Sequence, residues 1–486
     1  MKFLFKVKQR YVVVVMVFFV MATVFALRMS FPIVLTQMVY VPNIVSNTET
    51  NQSTNTELIC RIEHHMIENG TSHESNSSQS VPIPDSDRYY WSQKLQGMML
   101  SSFYWGTILS EIPGAIIVQR VGSKLTLLIS IALSALVTVL TPSAVQYGDS
   151  NGLIATRVIL GFVQGPTFPC LAAFVVPWYP IEQRGRLLSI GYIGISAGGA
   201  FSTFISGLLM HHLERWDVVF YFFSAILVLL GISFAFICYE LPKDNPFICD
   251  DEKEYLQQKI DDYENERKEL PSTPWLSILK SSPVLALILS TALYSWSFYI
   301  INTDLPKYLN DVLHVSIENN AVYSSVPKIL SILVSTGSGF LSDLMMSMWH
   351  VKRTRVQKIF VVLTSVVPAT FLMFASYAGC HEILAVILLS VSIAAHGFNS
   401  AGAAINLFDL SPNYVAPLNA VINSLATVVG MSAPYIAGLL TPNALLSEWR
   451  MVFWITFALH SSESIIFTIW GSGEVQLFNS PKFNPK

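Results

Sequence analysis

Charged residues are scarce in this sequence. Only 13% of its 486 residues are charged, whereas soluble domains carry about 25%. Hydrophobic residues make up 52%, and the mean hydropathy is +0.49. Apolar runs long enough to cross a hydrocarbon core of roughly 30 Å recur along the chain. The composition therefore excludes a soluble protein and predicts a polytopic membrane protein.

Chemical motifs are scarce as well. The five cysteines show no pair spacing suited to zinc or to thiol redox chemistry. No H-E-x-x-H metalloprotease motif is present, and the net charge of −3 gives no indication of nucleic-acid binding. We therefore expect no enzyme, no catalytic residues, no metal, no cofactor and no nucleic-acid partner.

Twelve transmembrane helices are predicted. The first apolar run resembles a signal peptide, but it is too long and no clean cleavage site follows it, so we interpret it as the first helix. The helices lie near 11–40, 95–118, 123–142, 152–177, 187–210, 217–240, 284–305, 320–345, 358–379, 382–403, 416–440 and 450–471.

The distribution of Lys and Arg predicts the orientation. With both termini in the cytosol, the inner segments collect most of the 29 basic residues. The outer segments then hold only a few basic residues, which are Arg61, Arg88, Lys94, Arg215, Lys307 and Arg450.

Loop 42–92 falls outside the cytosol and carries glycosylation sequons at Asn51, Asn69 and Asn76. Cys60 and Cys380 also fall outside, either as a disulfide or as two free thiols.

An internal repeat divides the chain. I-S-G-L-L at 205–209 and W-D-V-V-F-Y at 216–221 match I-A-G-L-L at 436–440 and W-R-M-V-F-W at 449–454 at nearly equal offsets. Duplicated units of six helices are typical of major facilitator transporters. We predict an N-terminal half at 1–240, a cytoplasmic linker at 241–282, a C-terminal half at 283–474 and a tail at 475–486.

Ionisable residues within predicted helices are expensive and therefore indicate function. Three cations, Arg28, Arg157 and Lys328, lie in the middle or outer part of their helices. Fixed cations in a wet cleft attract an anion, and the Arg guanidinium suits carboxylate or phosphate. Snorkelling to the interface is the alternative for each of them.

The buried acids allow two interpretations. Glu111 is a candidate proton carrier, but it could equally pair with Arg120, Arg184 or Arg186. Glu463 is interpreted as a polar contact between helices, and His396 is a further candidate for the group.

Two turns at the inner side carry charge. Arg120 and Lys124 lie between the second and third predicted helices, and Asp343 occupies the matching turn between the eighth and ninth. We interpret these residues as latches of the inner gate, although anchoring to lipid head groups explains the same pattern.

The sequence resembles the anion/cation symporter family of the major facilitator superfamily, which includes sialin, vesicular glutamate transporters and type I sodium–phosphate cotransporters. It is most similar to the insect inorganic phosphate cotransporters of that family. The resemblance runs from residue 28 to residue 478 and is carried by motifs at 102–114, 157–169, 181–187, 242–246, 295–299, 302–309, 405–414 and 448–453.

The resemblance implies an all-α fold of twelve helices, anion transport, and substrate-binding arginines at Arg28 and Arg157. The proton-coupled members have glutamates where this chain has Leu160 and Gln164, and a glutamine at the latter position is similar to the phosphate and urate branch. The coupling role of Gln164 is therefore in question, and Glu111 is a candidate for a relocated proton site.

Further departures concern the pocket. Glutamate carriers have an arginine where this chain has Tyr294 and a histidine where it has Leu100, and Lys328 replaces the usual tyrosine. These differences speak against glutamate loading and add a cation to the cleft. Tyr294 and Asn406 are expected to shape the pocket beside the two arginines.

We therefore predict a monomeric carrier of small anions in the plasma membrane or an endolysosomal or vesicular membrane. Its cargo is inorganic phosphate or an organic anion, and sodium or the membrane potential drives transport by alternating access. The first alternative is a proton-coupled organic-anion exporter of an acidic organelle. An anion-channel-like conductance and a transport-dead sensor are alternatives of another class.

Overall fold

A computed structural model describes residues 8–40, 88–268, 273–379 and 381–479. The predicted glycosylation sites at Asn51, Asn69 and Asn76 lie outside these ranges. Cys60 and Cys380, the predicted disulfide partners, lie outside them too.

Ten helical stretches of the described ranges are long and apolar enough to cross a membrane, and the division of Ser123–Val175 at Asp149 together with Gln93–Val121 brings the number to the twelve predicted. Helices are required because backbone polar groups find no water in a bilayer and must pair within their own segment. We name the crossings TM1 (Gln9–Met38), TM2 (Gln93–Val121), TM3 and TM4 (together Ser123–Val175), TM5 (Ile181–Leu213), TM6 (Asp217–Ile237), TM7 (Ser282–Asp311), TM8 (Ile317–Ser347), TM9 (Arg353–Tyr377), TM10 (Glu382–Leu410), TM11 (Val415–Leu440) and TM12 (Leu446–Trp470).

TM3 and TM4 form one helical stretch that is broken at Asp149. This residue has the non-helical angles φ 47° and ψ −135°, and its Oδ1 accepts a hydrogen bond of 3.0 Å from Trp91 Nε1. The chain turns back at Asp149 because of these backbone angles. The hydrogen bond from Trp91 holds the turn against the residues that precede TM2.

TM7 and TM10 depart from regular α-helix in their middle. TM7 contains a π-helical turn at Ile300–Asp304 and then continues to Asp311, beyond the predicted end near residue 305. TM10 contains a 3-10 segment at His396–Ala401. Lys307, which was predicted in an outer segment, lies in this continued helix, and its side chain is 3% exposed.

Glycines bring neighbouring helices into backbone contact. A Cβ at Gly198 of TM5 would clash with the backbone of Ala22 in TM1, and one at Gly161 of TM4 would clash with the Phe103 carbonyl oxygen in TM2. Small residues at such crossings are typical of membrane bundles. Residues 194–198 read G-I-S-A-G, which matches the G-x-S-x-G motif that places the catalytic serine of many hydrolases on a sharp strand-to-helix turn. Here these residues lie within the continuous helix TM5 and serve its packing.

We call the end of the bundle where TM1 begins the basic end. A linker helix, Asp250–Lys268, lies there, and Glu252 Oε2 accepts a 2.7 Å hydrogen bond from the Gln9 backbone N–H. The Glu240 carboxylate accepts hydrogen bonds from the backbone N–H groups of Ser123 and Lys124 at the start of TM3. A carboxylate at a helix N-terminus is stabilised by the orphan N–H groups and the helix dipole.

We call the opposite end, where TM1 ends and TM2 begins, the loop end. The two halves meet there through small side chains and backbone. A Cβ at Gly97 of TM2 would meet the Pro434 carbonyl oxygen of TM11, and one at Gly207 of TM5 would meet Ala321 of TM8. Ser101 Oγ of TM2 also donates a 2.8 Å hydrogen bond to the Met431 carbonyl oxygen. The loop end is therefore closed.

Candidate substrate site

Arg28 lies in TM1 among aromatic rings. Its guanidinium carbon is 4.7 Å from the ring centre of Phe25 and 4.8 Å from that of Phe103. Its Nε donates a long hydrogen bond of 3.4 Å to Gln164 Oε1, and its buried Nη2 has no hydrogen-bond partner. Arg28 thus faces Gln164, with donor capacity left over.

Arg157 is more deeply buried. Its side chain is 3% exposed, its guanidinium carbon lies 3.5 Å from the centre of the Phe31 ring, and Nε and Nη2 have no hydrogen-bond partner. A cation over an aromatic face is attracted by the ring quadrupole, but that attraction leaves the N–H groups unsatisfied. A small cavity beside it is lined by Ser30, Thr138 and Thr141.

No carboxylate neutralises these cations. Among the ion pairs of the described residues, none includes Arg28, Arg157 or Lys328. Glu111 lies within electrostatic range of Arg28 but keeps part of its surface exposed and forms no ion pair with it. The N-terminal half therefore presents two guanidinium groups, half-buried Arg28 and buried Arg157, that form no ion pair with a described carboxylate.

Lys328 reaches the same region from the C-terminal half. Its Nζ donates a 2.9 Å hydrogen bond to Thr203 Oγ1 of TM5, and its aliphatic stem lies beside Gly199, which also borders Met29. The lysine is 6% exposed. It bridges the two halves through Thr203, and its place on the outer side of the cleft stays a prediction.

Two tyrosines that sequence reasoning missed complete this group. The rings of Tyr104 in TM2 and Tyr299 in TM7 lie 4.6 Å apart in an edge-to-face arrangement. Both lie within electrostatic range of Arg28, and Tyr104 is also in range of Arg157. The sequence offered one indication of their role, because Tyr104 lies in the family motif at 102–114 and Tyr299 in the motif at 295–299. They supply hydroxyl groups where the two halves meet.

Tyr294 and Asn406 do not join the arginines. The Tyr294 ring contacts His396, with centroids 5.4 Å apart. Asn406 Nδ2 donates hydrogen bonds to Gln357 Oε1 at 2.8 Å and to the Ser472 carbonyl oxygen at 2.6 Å. This second network ties TM9 and TM10 to the tail at the basic end.

A histidine absent from the predicted site accompanies the acid of TM12. His460 Nδ1 lies 2.7 Å from Glu463 Oε2, and both residues are fully buried. The H-x-x-E spacing on one helical face was the available signal, because residues at i and i+3 are neighbours on a helix.

The three gate candidates lie at the basic end. Arg120 and Asp343 are exposed, while Lys124 is half-buried with its Nζ 4.6 Å from the centre of the Tyr239 ring. Asp343 is thus available for contact with the other half when the basic end closes, and the latch role stays a prediction.

Comparison with known proteins identifies the class. Residues 13–434 match the Major Facilitator Superfamily, so the chain belongs to this superfamily of membrane transporters. It resembles a bacterial homologue of the human lysosomal transporter Spinster in its inward-facing, unoccupied conformation, with a TM-score of 0.64, 14% identity, and coverage of 98% of this chain and 99% of the other. That likeness shows the fold.

Relatives narrow the class. Human sialin is 33% identical over 467 residues, which cover 96% of this chain and 90% of sialin. A Drosophila melanogaster protein named "Putative inorganic phosphate cotransporter" is 29% identical over 435 residues, covering 87% of this chain and 82% of the relative. The chain therefore belongs to the anion/cation symporter family. The predicted family, the twelve-helix facilitator fold and the exclusion of an enzyme are confirmed.

Proposed function

We propose that this protein is a secondary carrier of small anions, with inorganic phosphate or a small organic anion as cargo. The observation that carries the proposal is the pair of guanidinium groups of half-buried Arg28 and buried Arg157, which have unsatisfied N–H donors and no carboxylate partner among the described residues. Leaving a buried charge unpaired is costly, and an anion would supply the missing acceptors. Lys328 adds a third positive charge from the other half.

The closed loop end supports transport by alternating access. Contacts at Gly97, Ser101 and Gly207 hold the two halves together on that side, while Arg28 and Glu111 keep part of their surface exposed. We propose that the basic end faces the cytosol, which makes this the inward-facing state. The carrier then works as a monomer in the plasma membrane or in an endolysosomal or vesicular membrane.

The driving force is proposed as a sodium gradient or the membrane potential, with proton coupling as the alternative. The name of the Drosophila relative, an inorganic phosphate cotransporter, supports phosphate as the first anion to try. The buried His460–Glu463 pair favours the proton alternative and is treated separately below.

Labelled phosphate uptake into proteoliposomes tests the proposal. Uptake is measured with and without an inward sodium gradient, at fixed pH and voltage, for wild type, Arg157→Ala and the exposed-arginine control Arg355→Ala. Saturable uptake that is lost only in Arg157→Ala is expected, and the comparison with and without sodium decides whether sodium drives it.

Other outcomes select the alternatives. Uptake that requires an inside-positive potential would identify the membrane potential as the driving force, and uptake that requires a pH gradient would identify proton coupling. Flux that does not saturate would indicate a conductance, and anion binding without flux would indicate a sensor.

A further inference from the structure

The C-terminal half holds a second group of buried polar side chains. Tyr294 lies on TM7, His396 on TM10, and His460 and Glu463 on TM12. The ring centroids are 5.4 Å apart for Tyr294 and His396, 5.5 Å for the two histidines, and 6.4 Å for Tyr294 and His460. The four side chains therefore form one contiguous cluster, which we call the histidine cluster.

The histidine cluster is buried and incompletely hydrogen-bonded. His460 and Glu463 are 0% exposed and His396 is 7% exposed. Both ring nitrogens of His396, Nε2 of His460 and Oε1 of Glu463 have no hydrogen-bond partner. Unsatisfied polar groups in the bilayer interior are costly, and ionisable groups there mark functional sites by default. Packing between helices does not require an acid and two imidazoles.

Counting hydrogens shows what this cluster can bind. The 2.7 Å contact between His460 Nδ1 and Glu463 Oε2 needs one hydrogen between the two atoms. If a neutral imidazole donates it, the carboxylate is ionised and the pair has a net charge of −1. One added proton makes the pair neutral, whether it binds imidazole Nε2 or the carboxylate. The pair therefore holds an exchangeable proton, and its net charge changes when that proton leaves.

The surrounding elements supply no other counter-ion. Among the described residues, the ion pairs of Glu463 comprise only His460. TM7 contributes Tyr294, TM10 contributes His396, and the buried lysine of TM8, Lys328, is engaged by Thr203. TM11 has the single titratable residue Tyr435. The titratable residues of TM9 all lie toward its two ends, and they are Arg353, Arg355, Lys358 and Tyr377.

Packed aromatic rings connect this cluster to the anion site. Tyr294 stacks on Phe298 with centroids 6.0 Å apart, Phe298 contacts Tyr299 at 6.0 Å, and Tyr299 contacts Tyr104 at 4.6 Å. The connection runs along TM7 just before its π-helical turn, and His396 begins the 3-10 segment of TM10. Irregular turns of this kind are frequent at functional hinges. A change of charge at TM12 therefore acts on the two helices whose geometry is least regular.

We propose that His460 and Glu463, supported by His396 and Tyr294, form a proton-binding site in the C-terminal half that couples proton movement to anion transport. This inference rests on the proposed function as an anion carrier and names its coupling ion. One proton binds to the pair, no covalent bond to cargo forms, and the same proton leaves on the other side of the membrane.

Two flux measurements on reconstituted protein separate coupling from transport. Counterflow exchange of labelled phosphate at equal concentrations requires binding and translocation but no net proton movement. Accumulation driven by an inward gradient of about one pH unit, at clamped voltage and without sodium, requires coupling. Such a gradient supports accumulation of up to about tenfold per coupled proton. Wild type and the exposed-glutamate control Glu474→Gln are expected to do both.

The variant Glu463→Gln keeps the shape of the side chain and removes its charge. We expect its counterflow to stay within about threefold of wild type while gradient-driven accumulation disappears. Accumulation equal to wild type in Glu463→Gln would overturn the proposal. Wild-type counterflow without any accumulation in response to the pH gradient would overturn it as well, while leaving the anion carrier intact.

A readout without cargo keeps the two proposals distinguishable. In infrared difference spectra of the purified protein between neutral and acidic pH, the component of the protonated-carboxyl band that belongs to Glu463 should be present in wild type and Glu474→Gln and missing in Glu463→Gln. His396→Gln should shift the pH midpoint of that band. If counterflow is absent for both phosphate and labelled sialate, the proposed anion transport is rejected. The infrared band of Glu463 still tests the proton site in that case. An unchanged band in Glu463→Gln rejects the site.

Discussion

The two halves of this protein share an architecture and differ in the chemistry they bury. In the N-terminal half, Arg28 and Arg157 lie against aromatic rings with no carboxylate to pair with. In the C-terminal half, the fully buried acid Glu463 has a histidine as its partner. The duplication therefore preserved the helices and their packing, while the polar residues of the interior diverged.

The difference has a chemical meaning. A guanidinium group is permanently charged, so the arginines offer a constant attraction to an anion. Imidazole and carboxyl groups exchange protons, so the charge of the histidine cluster can change during a cycle. A carrier needs both a lasting affinity for its cargo and a switch that changes between the two sides. In the two proposals above, each half supplies one of them.

The largest expected effect tests the N-terminal side of the comparison. Arg157→Gln removes a buried charge, and we expect kcat/KM for labelled phosphate in proteoliposomes to fall at least about thirtyfold, a loss of about 2 kcal/mol or more. Arg157→Lys keeps the charge without the planar fork and should fall between wild type and Arg157→Gln. If Arg157→Gln retained half of the wild-type rate, the anion site would have to lie elsewhere.

The next prediction concerns the motion that both sites share. A side chain at Gly97 would meet the Pro434 carbonyl oxygen, so Gly97→Val should disfavour the closed loop end by about 1–3 kcal/mol. Labelling of a cysteine introduced at Leu100, which is 4% exposed, should then increase from the loop side and transport should slow.

Gly339→Val is the matched control for that variant. A Cβ at Gly339 meets nothing within 4 Å, so its labelling should equal that of wild type. Equal labelling in Gly97→Val and Gly339→Val would mean that TM2 and TM11 do not form the closure.

A smaller effect is expected at Lys328, whose side chain reaches from the C-terminal half to the N-terminal half. Lys328→Met removes the charge and should raise the KM for phosphate about tenfold. Thr203→Val removes only the hydroxyl partner of Lys328, so the KM should change by less than about twofold. Equal changes of KM in both variants would mean that Lys328 only holds the two halves together. The anion site would then be restricted to the N-terminal half.

The smallest effect is expected outside the membrane. Glu252→Gln weakens charge-assisted hydrogen bonds to the start of TM1, and we expect Tm to fall by a few degrees with transport rates unchanged within about twofold. Exposed Glu254 on the same helix gives the control Glu254→Gln, whose Tm should not move. Loss of transport in Glu252→Gln would show that the linker takes part in the cycle.

Sequence reasoning located the helices and the charged positions within them, because a span needs length and apolar character and a buried charge stands out against both. It could not tell which face each residue takes after an irregular turn. Six residues of 3-10 helix turn the chain by roughly 120° more than α-helix does. Asn406 follows such a segment and therefore binds Gln357 at the basic end.

The same limit applies to the other positions that were missed. The π-helical turn in TM7 lengthened the helix and buried Lys307, which no hydropathy pattern indicates. His460 and Glu463 stood three residues apart in the sequence, but the contact of His460 with His396 depends on how TM10 and TM12 pack. Pairings across helices are therefore the part of the site that required the structure.

The closure of the loop end rests on small residues, with Gly97 against Gly438 and Gly207 against Ala321. Attraction between such surfaces is short in range, and a gap of about 0.5–1 Å already forfeits a quarter to a half of it. We therefore expect the closed end to hold or separate as a unit, so that a half-open position, in which both ends could leak, is brief.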